Sequence, residues 1–188
     1  MGVEGASTIS INTDAKHLAV GKADKKILIG RELTRGLGAG GIPEVGKKAA
    51  EESRNEIKEA LDGSDLVFAI AGLGKGTGSG SIPVACEIAK SMGAIVIAVA
   101  TMPFKLEGAR ISKAEEALAS LRQVCDTAIV IENDKLLKFA GNMAIQNAFA
   151  VADELIASMV KGITETITLP SLVNLDYADV RSVMHSGG

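Results

Sequence analysis

Three short runs of apolar, mostly β-branched residues recur along the middle of the chain: Leu66–Ala71, Ala94–Ala100 and Ala128–Ile131. Runs that are short and apolar on both faces are typical of parallel strands covered on both sides. The segments between them place apolar residues on one helical stripe. Strand, helix, strand, helix, strand predicts an α/β fold with a doubly wound, mostly parallel sheet and helices on both of its faces.

Two further segments have helical periodicity. Upstream of the first strand, Val45, Ala49, Ile57 and Leu61 predict one helix with a charged outer face, ending at Asp62-Gly63. Downstream of the third strand, residues 142–164 predict a long central helix that is apolar on a wide face and buried along most of its length. Its apolar positions are Ile145, Ala148, Phe149, Ala152, Leu155, Ile156, Met159 and Ile163.

Composition restricts the partners and the location of the protein. The 188 residues carry a net charge of -3 and no basic run, which disfavours nucleic acid and anionic membranes as partners. Cys86 and Cys125 lie far apart without metal-ligand spacing, so we expect two buried thiols in a reducing compartment. The longest apolar run is well short of the ~20 residues that a membrane-spanning helix needs. With no signal-peptide pattern at the N-terminus, we expect a cytoplasmic protein without direct membrane insertion.

Glycine occupies five of the nine positions from Gly72 to Gly80, directly after the first predicted strand. We expect the following helix to start between Ser79 and Pro83, since proline suits a first helical turn. A loop at the carboxyl end of a parallel strand, next to a helix N-terminus, is suited to bind an anion. Backbone N–H groups of Gly74 to Gly78 would then surround a phosphate. The alternative is a loose strand-to-helix turn.

Other phosphate-binding patterns fit poorly. The P-loop pattern G-x-x-x-x-G-K-[ST] is absent because Gly76 follows Lys75. A G-x-G-x-x-G pattern occurs at Gly36, Gly38 and Gly41, but it follows no predicted strand and continues into Pro43. An NAD-dependent Rossmann enzyme is therefore a weak alternative, and the second strand also lacks an acidic residue at its end.

The glycine-rich stretch GLGKGTGSG resembles the tubulin signature loop of the FtsZ family of cell-division GTPases, whose usual form is GGGTGTG. Further segments match in the family's order and with similar spacing. They are INTD at 11–14, GLGAGGIPEVGK at 36–47, TMPFKLEG at 101–108, NDKLL at 133–137 and NLDYADVRSVM at 174–184. The resemblance implies a tubulin-like GTPase that binds GTP or GDP with Mg²⁺. It also implies self-association into filaments or dimers, and action with other cell-division proteins.

The resemblance also implies roles for individual residues in nucleotide binding. Gly74, Gly76, Thr77 and Gly78 would hold the α- and β-phosphates. Ala39 and Gly40 would lie at the γ-phosphate, with Asp14 near its Mg²⁺. Glu107 would bind the ribose, with Arg110 near the sugar and phosphates and Asn133 at the end of the third strand. Phe149 would stack on the base, and Asp153 would accept hydrogen bonds from guanine, which adenine cannot supply.

Simpler explanations exist for several of these residues. Glu107 and Arg110 have the spacing of an i,i+3 salt bridge at a helix start. On its pattern alone, Phe149 is a core residue. Asn174, Asp176 and Asp179 match the family's catalytic loop, which completes the active site of the next subunit. Asp176 could instead be a helix N-cap, with Asp179 favoured by the helix dipole.

The chain also departs from the family pattern. We interpret residues 1–188 as a single, incomplete GTPase domain, with 169–188 as the catalytic loop and the start of the next helix. A strand that is central in the family's sheet has no counterpart here, and Val3 to Ile11 are the expected local substitute. Lys75 replaces a family glycine and would either add a charge for phosphate or strain a positive-φ position. A nucleotide-binding or interaction fragment without its own hydrolysis is the alternative function.

Overall fold

The computed structural model describes residues 6–140, 145–168 and 182. It contains five strands: β1 (Ile9–Asn12), β2 (Lys25–Leu28), β3 (Leu66–Gly72), β4 (Ile95–Met102) and β5 (Thr127–Glu132). The α-helices are α1 (Ala15–Val20), α2 (Arg31–Thr34), α3 (Pro43–Glu52), α4 (Arg54–Leu61), α5 (Gly76–Ser91), α6 (Ala109–Val124), α7 (Asn133–Ala140) and α8 (Ile145–Thr168). A 3₁₀ helix spans Lys105–Glu107.

The three strands that the apolar runs predict form one parallel sheet in the order β3-β4-β5. Val67 pairs with Val96, and Val99 pairs with Ile129. Residues 95–100 of β4 are all buried because this strand has a neighbour on each edge and helices on both faces. The α/β class and the parallel arrangement are therefore confirmed.

A second parallel sheet consists of β1 and β2, which the apolar patterns did not predict. Within the described part of the chain, β1 does not pair with β3. An open groove of about 1790 Å³ separates them, lined by Ile9 and Ile11 of β1 and by the whole of β3. The expectation that Val3 to Ile11 substitute for a strand next to β3 is wrong for the described residues. Ile9 and Ile11 pair with Lys25 and Ile27 of β2 instead, and pack against the apolar cluster around Ile57.

Helix α5 joins the two sheets into one core. One side of it contributes Ile82, Cys86 and Ala89 to the cluster under β4 and α6. Val84 and Ile88 contribute to the cluster that includes Ile27, Ile29 and Ile57. Helix α5 therefore packs against both apolar clusters. Both cysteines are buried free thiols, as expected.

The upstream helical segment is two helices, whereas the periodicity predicts one. Buried Ser53 separates α3 from α4, and its side chain accepts a hydrogen bond from the Gly30 N–H at 3.1 Å. The Ser53 carbonyl accepts the N–H of Ile57 at 3.0 Å, which starts the second helix. A tertiary hydrogen bond thus divides a segment whose apolar spacing is continuous, because periodicity does not report such contacts.

Helix α8 is long, as predicted, but it is not buried along most of its length. Ala152, Ile156 and Thr164 are buried, and Ala152 and Ile156 pack against Val99 and Ile131 of the sheet. Leu155 is 55% exposed on another face. The wide apolar stripe therefore exceeds the surface that the described sheet and α7 cover. None of the described helices is long and apolar enough to cross a membrane.

Candidate functional site

Helix α5 begins at Gly76, earlier than the predicted start between Ser79 and Pro83. Three of the loop glycines therefore belong to the first turns of the helix, and Pro83 lies in its interior. Glycine is a poor helix former, so tertiary contacts must favour this start.

Close packing of α5 against α3 explains those contacts. A Cβ on Gly80 would lie 2.0 Å from the Pro43 carbonyl oxygen and 2.4 Å from the Lys47 nitrogen. A Cβ on Gly76 would lie 2.7 Å from the Ile42 nitrogen and 2.8 Å from the Ala39 Cβ. The two backbones approach too closely for any side chain, so much of the glycine content serves helix packing.

Gly74 is the glycine of this stretch that needs its conformational freedom, with φ of 95°. Its N–H donates to the buried Ser79 Oγ at 2.8 Å. A Cβ at Gly74 would lie 2.9 Å from the Arg110 carbonyl oxygen. The glycine loop is thereby held against the start of α6. The Gly74 N–H, predicted to face a phosphate, is used inside the loop.

The backbone N–H groups of residues 75–78 are different. Within the described residues, none of these four N–H groups has a hydrogen-bond acceptor. They lie at the N-terminus of a 16-residue helix, where partial positive charge accumulates. Gly74, Gly76, Thr77 and Gly78 all line the groove. This arrangement is suited to bind an anion and does not resemble a loose turn.

The second glycine loop lies directly beside the first. Ala39 is buried and contacts the Gly76 position, while Gly40 is exposed with φ of 60° and lines the groove. Lys113 of α6 donates from Nζ to the Gly41 carbonyl oxygen at 2.9 Å. The two loops and the start of α6 therefore form one rim.

Asp14 caps helix α1, since its Oδ1 accepts the N–H of His17 at 2.9 Å. Its Oδ2 has no hydrogen-bond partner among the residues described, and Asp14 lines the groove near Gly38. The same part of the chain holds no group of three His, Cys, Asp or Glu side chains able to bind a metal. Asp14 alone fits the way Mg²⁺ is commonly held, by one or two carboxylates together with phosphate oxygens and water.

Glu107 and Arg110 form the salt bridge that their spacing predicts. The Phe104 N–H also donates to Glu107 Oε1 at 3.0 Å. Partial desolvation alone would raise the pKa of the Glu107 carboxyl. The Phe104 N–H, Arg110 and the charge of Lys75 outweigh it and hold this pKa below its ordinary value. Glu107 is therefore an anion at neutral pH whose described partners are the Phe104 N–H and Arg110.

Asn133 lies at the carboxyl end of β5 and is buried, with 6% of its surface exposed. Its Oδ1 is a buried acceptor without a hydrogen-bond partner in the described part of the molecule. A buried unpaired acceptor costs about 1–3 kcal/mol, so a donor from a ligand would be stabilising there.

Phe149 is 43% exposed, so the interpretation of this residue as core is wrong. Its ring meets Phe104 edge to face, with ring centroids 5.6 Å apart and planes at 62°. One helical turn later, Asp153 is exposed and lines the groove. A partly exposed aromatic residue and an exposed carboxylate thus lie one turn apart on the same side of α8.

The predicted catalytic residues Asn174, Asp176 and Asp179 lie outside the described residues. Three other residues support the site and were not singled out from the sequence. Buried Thr13 joins the end of β1 to the start of α5 through a 2.6 Å contact between its Oγ1 and that of Thr77. Ser79 holds the Gly74 N–H, and Lys113 holds the second loop. Both threonines lie in quoted motifs, but only the fold shows that they meet.

Comparison with known proteins agrees with this geometry. Residues 3–141 match the model of the Tubulin/FtsZ family, GTPase domain. The chain is 60% identical over 188 residues to "Cell division protein FtsZ 2" of Methanocaldococcus jannaschii, covering 100% of this chain and 50% of the relative. It is 57% identical over 189 residues to "Cell division protein FtsZ 1" of Thermococcus kodakarensis, covering 51% of that protein.

Among solved structures, "FtsZ dimer, empty (M. jannaschii)" matches with a TM-score of 0.93 and 54% identity, covering 100% of this chain and 55% of the other. A CetZ from Methanosaeta thermophila matches with a TM-score of 0.78 and 26% identity, covering 96% of this chain and 51% of the other. The chain spans about half the length of the curated relatives it matches. The glycine loops, their order along the chain and these matches together show that the chain belongs to the Tubulin/FtsZ family and carries sequence of its GTPase domain.

Proposed function

We propose that this chain provides the guanine-nucleotide site of a self-assembling, GTP-hydrolysing cytoskeletal protein of the FtsZ type that acts in cell division. The observation that carries the proposal is the start of α5, where residues 75–78 line the groove and their N–H groups have no acceptor among the described residues. Phosphate is the anion class that such helix starts bind most readily. Family membership supports GTP and GDP as the nucleotides.

The described side chains support a full nucleotide rather than a free phosphate. Phe149 offers an exposed ring for the base, and Asp153 offers a carboxylate to the N1–H and N2–H₂ groups of guanine. The unpaired Oδ1 of Asn133 is ready for a further ligand donor. Glu107 and Arg110 would bind the ribose and the neighbouring phosphates. Ala39 and Gly40 would approach the γ-phosphate, and Asp14 would bind the Mg²⁺ that screens phosphate charge.

We propose that GTP hydrolysis depends on residues that lie outside the described structure. Asn174, Asp176 and Asp179 would complete the site of a neighbouring subunit, with the two carboxylates orienting the attacking water. A dimer of a Methanocaldococcus jannaschii relative supports self-association as the general behaviour. We further propose filaments, contacts with other division proteins and a cytoplasmic location. No role in binding nucleic acid or in direct membrane insertion is proposed.

A second candidate function is nucleotide binding without turnover. The groove between β1 and β3 favours it, because the site continues into an open cleft on that side. A misplacement of about 1 Å in a catalytic group can cost roughly a hundredfold in rate, so an open site would bind without hydrolysing.

Base selectivity tests the proposed nucleotide. Calorimetry should show that GDP binds about tenfold or more tightly than ADP, because adenine would leave the Asp153 carboxylate unpaired. Asp153→Ala should remove most of that preference. Glu154→Ala is the matched control, since this neighbouring carboxylate is exposed but does not line the groove. Equal binding of GDP and ADP by the unmodified chain would refute the guanine assignment.

Catalysis in trans needs a separate test. The chain is mixed with a full-length relative whose two loop carboxylates have been changed to alanine, and phosphate release is followed. We expect recovery of turnover that disappears when Asp176 and Asp179 of this chain are both changed to alanine. Turnover by this chain alone that is unaffected by the same two changes would show that these residues are helix caps.

A further inference from the structure

Lys75 is the residue at which the glycine loop departs from the family pattern, and its backbone is not strained. It is the N-cap of α5 with φ of -109° and ψ of -176°, an extended conformation that any residue adopts. The alternative that Lys75 strains a positive-φ position is therefore wrong. The left-handed position belongs to Gly74. Lys75 is exposed and lines the groove.

Several positively charged or partly positive groups lie near Lys75. Four N–H groups without acceptors in the described residues lie at the same helix end, and Arg110 and Lys113 line the same groove. A cation at a helix N-terminus opposes the helix dipole and costs stability. An anion at this helix end would turn that repulsion into attraction.

The neighbouring cations are engaged with protein groups, whereas Lys75 has no ion-pair or hydrogen-bond partner among the residues that the structure describes. Arg110 pairs with Glu107, and Lys113 donates to the Gly41 carbonyl oxygen. Among the described residues, no Asp or Glu oxygen lies within 4.0 Å of Lys75 Nζ. Its charge acts on Glu107 only as a weaker addition to that of Arg110. Of the three cations described at this rim, Lys75 is therefore the one whose charge is not engaged by a described protein group.

We propose that Lys75 binds the phosphate chain of the nucleotide at the start of α5, adding a side-chain charge to a cradle otherwise built from backbone N–H groups. This assignment rests on the proposed nucleotide function of the same site. A lysine ammonium acts as a mobile point charge with three donors, so it can contact the oxygens of two successive phosphates. The chemical class is a nucleoside di- or triphosphate, and the contact makes no use of the base.

The test compares three ligands by calorimetry: GDP, guanosine and inorganic tripolyphosphate. Lys75→Gln should weaken GDP and tripolyphosphate binding about tenfold or more at low salt, since charged hydrogen bonds to phosphate are strong. Guanosine binding should not change. Lys75→Arg should retain most of the affinity. Lys48→Gln is the matched control, because it removes one charge from an exposed residue of α3 paired with Glu44.

Two further measurements separate a ligand contact from a structural role. Raising the salt concentration should weaken GDP binding less in Lys75→Gln than in the unmodified chain. Salt screens the contact between the Lys75 ammonium and phosphate, and the variant no longer makes this contact. The ligand-free Lys75→Gln protein should melt at the same temperature or higher, since a cation leaves the positive helix end. A structural role for Lys75 would instead lower stability and affinity together.

The outcomes distinguish this assignment from the proposed function. The role of Lys75 would be overturned if Lys75→Gln bound GDP and tripolyphosphate as tightly as the unmodified chain does. A preference of the chain for GDP over ADP would still leave the proposed function intact. Tripolyphosphate binding that depends on Lys75, without any preference for guanine, would keep the role of Lys75 and overturn the guanine-nucleotide function. Binding of neither GDP nor tripolyphosphate to the unmodified chain would overturn both.

Discussion

Replacing Gly80 with alanine tests whether the glycines of the loop are required for helix packing. On helix propensity alone the change should stabilise α5 by about 1 kcal/mol. The added methyl group would lie 2.0 Å from the Pro43 carbonyl oxygen, 2.4 Å from the Lys47 nitrogen and 2.8 Å from the Gly46 carbonyl carbon. All three are backbone atoms of α3, so no side chain can rotate away.

Overpacking of this kind costs about 1–3 kcal/mol, and contacts this short place Gly80→Ala at the upper end. After subtraction of the propensity gain, we expect a net loss of about 2 kcal/mol in the free energy of unfolding. Gly162→Ala in α8 is the matched control, because in the described structure no heavy atom from outside its own stretch of helix lies within 4 Å of its Cβ position. That variant should gain about 0.5–1 kcal/mol from propensity.

Urea unfolding followed by far-ultraviolet circular dichroism measures both variants, and the midpoints are compared at equal m-values. The midpoint should fall for Gly80→Ala and rise for Gly162→Ala. If Gly80→Ala is as stable as the unmodified chain, the close approach of α3 and α5 is not what requires glycine at this position. The free N–H groups would then be the remaining reason for the glycine-rich sequence.

Three further predictions concern the loop, the core and the sheet. Ser79→Ala should lower the free energy of unfolding, measured in urea, by about 1–3 kcal/mol, because it leaves the buried Gly74 N–H unpaired. Ser120→Ala on the exposed face of α6 is the control and should change this free energy little. Equal effects of the two substitutions would contradict the prediction. Burial, with a smaller contribution from Cys125, raises the pKa of the Cys86 thiol from 9.0 to about 12. The neutral Cys86 thiol therefore contributes fully to stability below pH 9, and this contribution is lost as pH rises toward 12. The fall in the free energy of unfolding at alkaline pH should be shallower in Cys86→Ala than in the unmodified chain. Identical slopes in the two proteins would refute the raised pKa. In hydrogen exchange, the backbone amides of β4 should be protected at every residue and those of β3 only at alternate residues, because the described β3 pairs with a neighbour on one edge only. Uniform protection of β3 would show that another strand occupies the groove.

Local sequence patterns determined much of the architecture. The three apolar runs predicted β3, β4 and β5 almost to their ends, since a strand buried on both faces must be apolar at every position. The helical stripe between the second and third apolar runs predicted α6, because a helix that packs on a sheet is apolar on one face. The glycine-rich stretch after β3 predicted an anion site, because the chain direction puts a helix start at the end of a parallel strand.

Contacts between distant segments decided the rest. Helix α5 starts at Gly76 because α3 lies against it, and no property of the residues around Gly76 reports that approach. Phe149 lies on an apolar stripe, but the described sheet and α7 cover only one side of α8, so this residue stays 43% exposed. The absence of a partner for Lys75 among the described residues likewise depends on its neighbours, because Glu107 already pairs with Arg110 and Gly41 already accepts from Lys113. Periodicity reports the polarity of one segment along its own axis, whereas these features depend on which groups from other segments lie within a few ångströms.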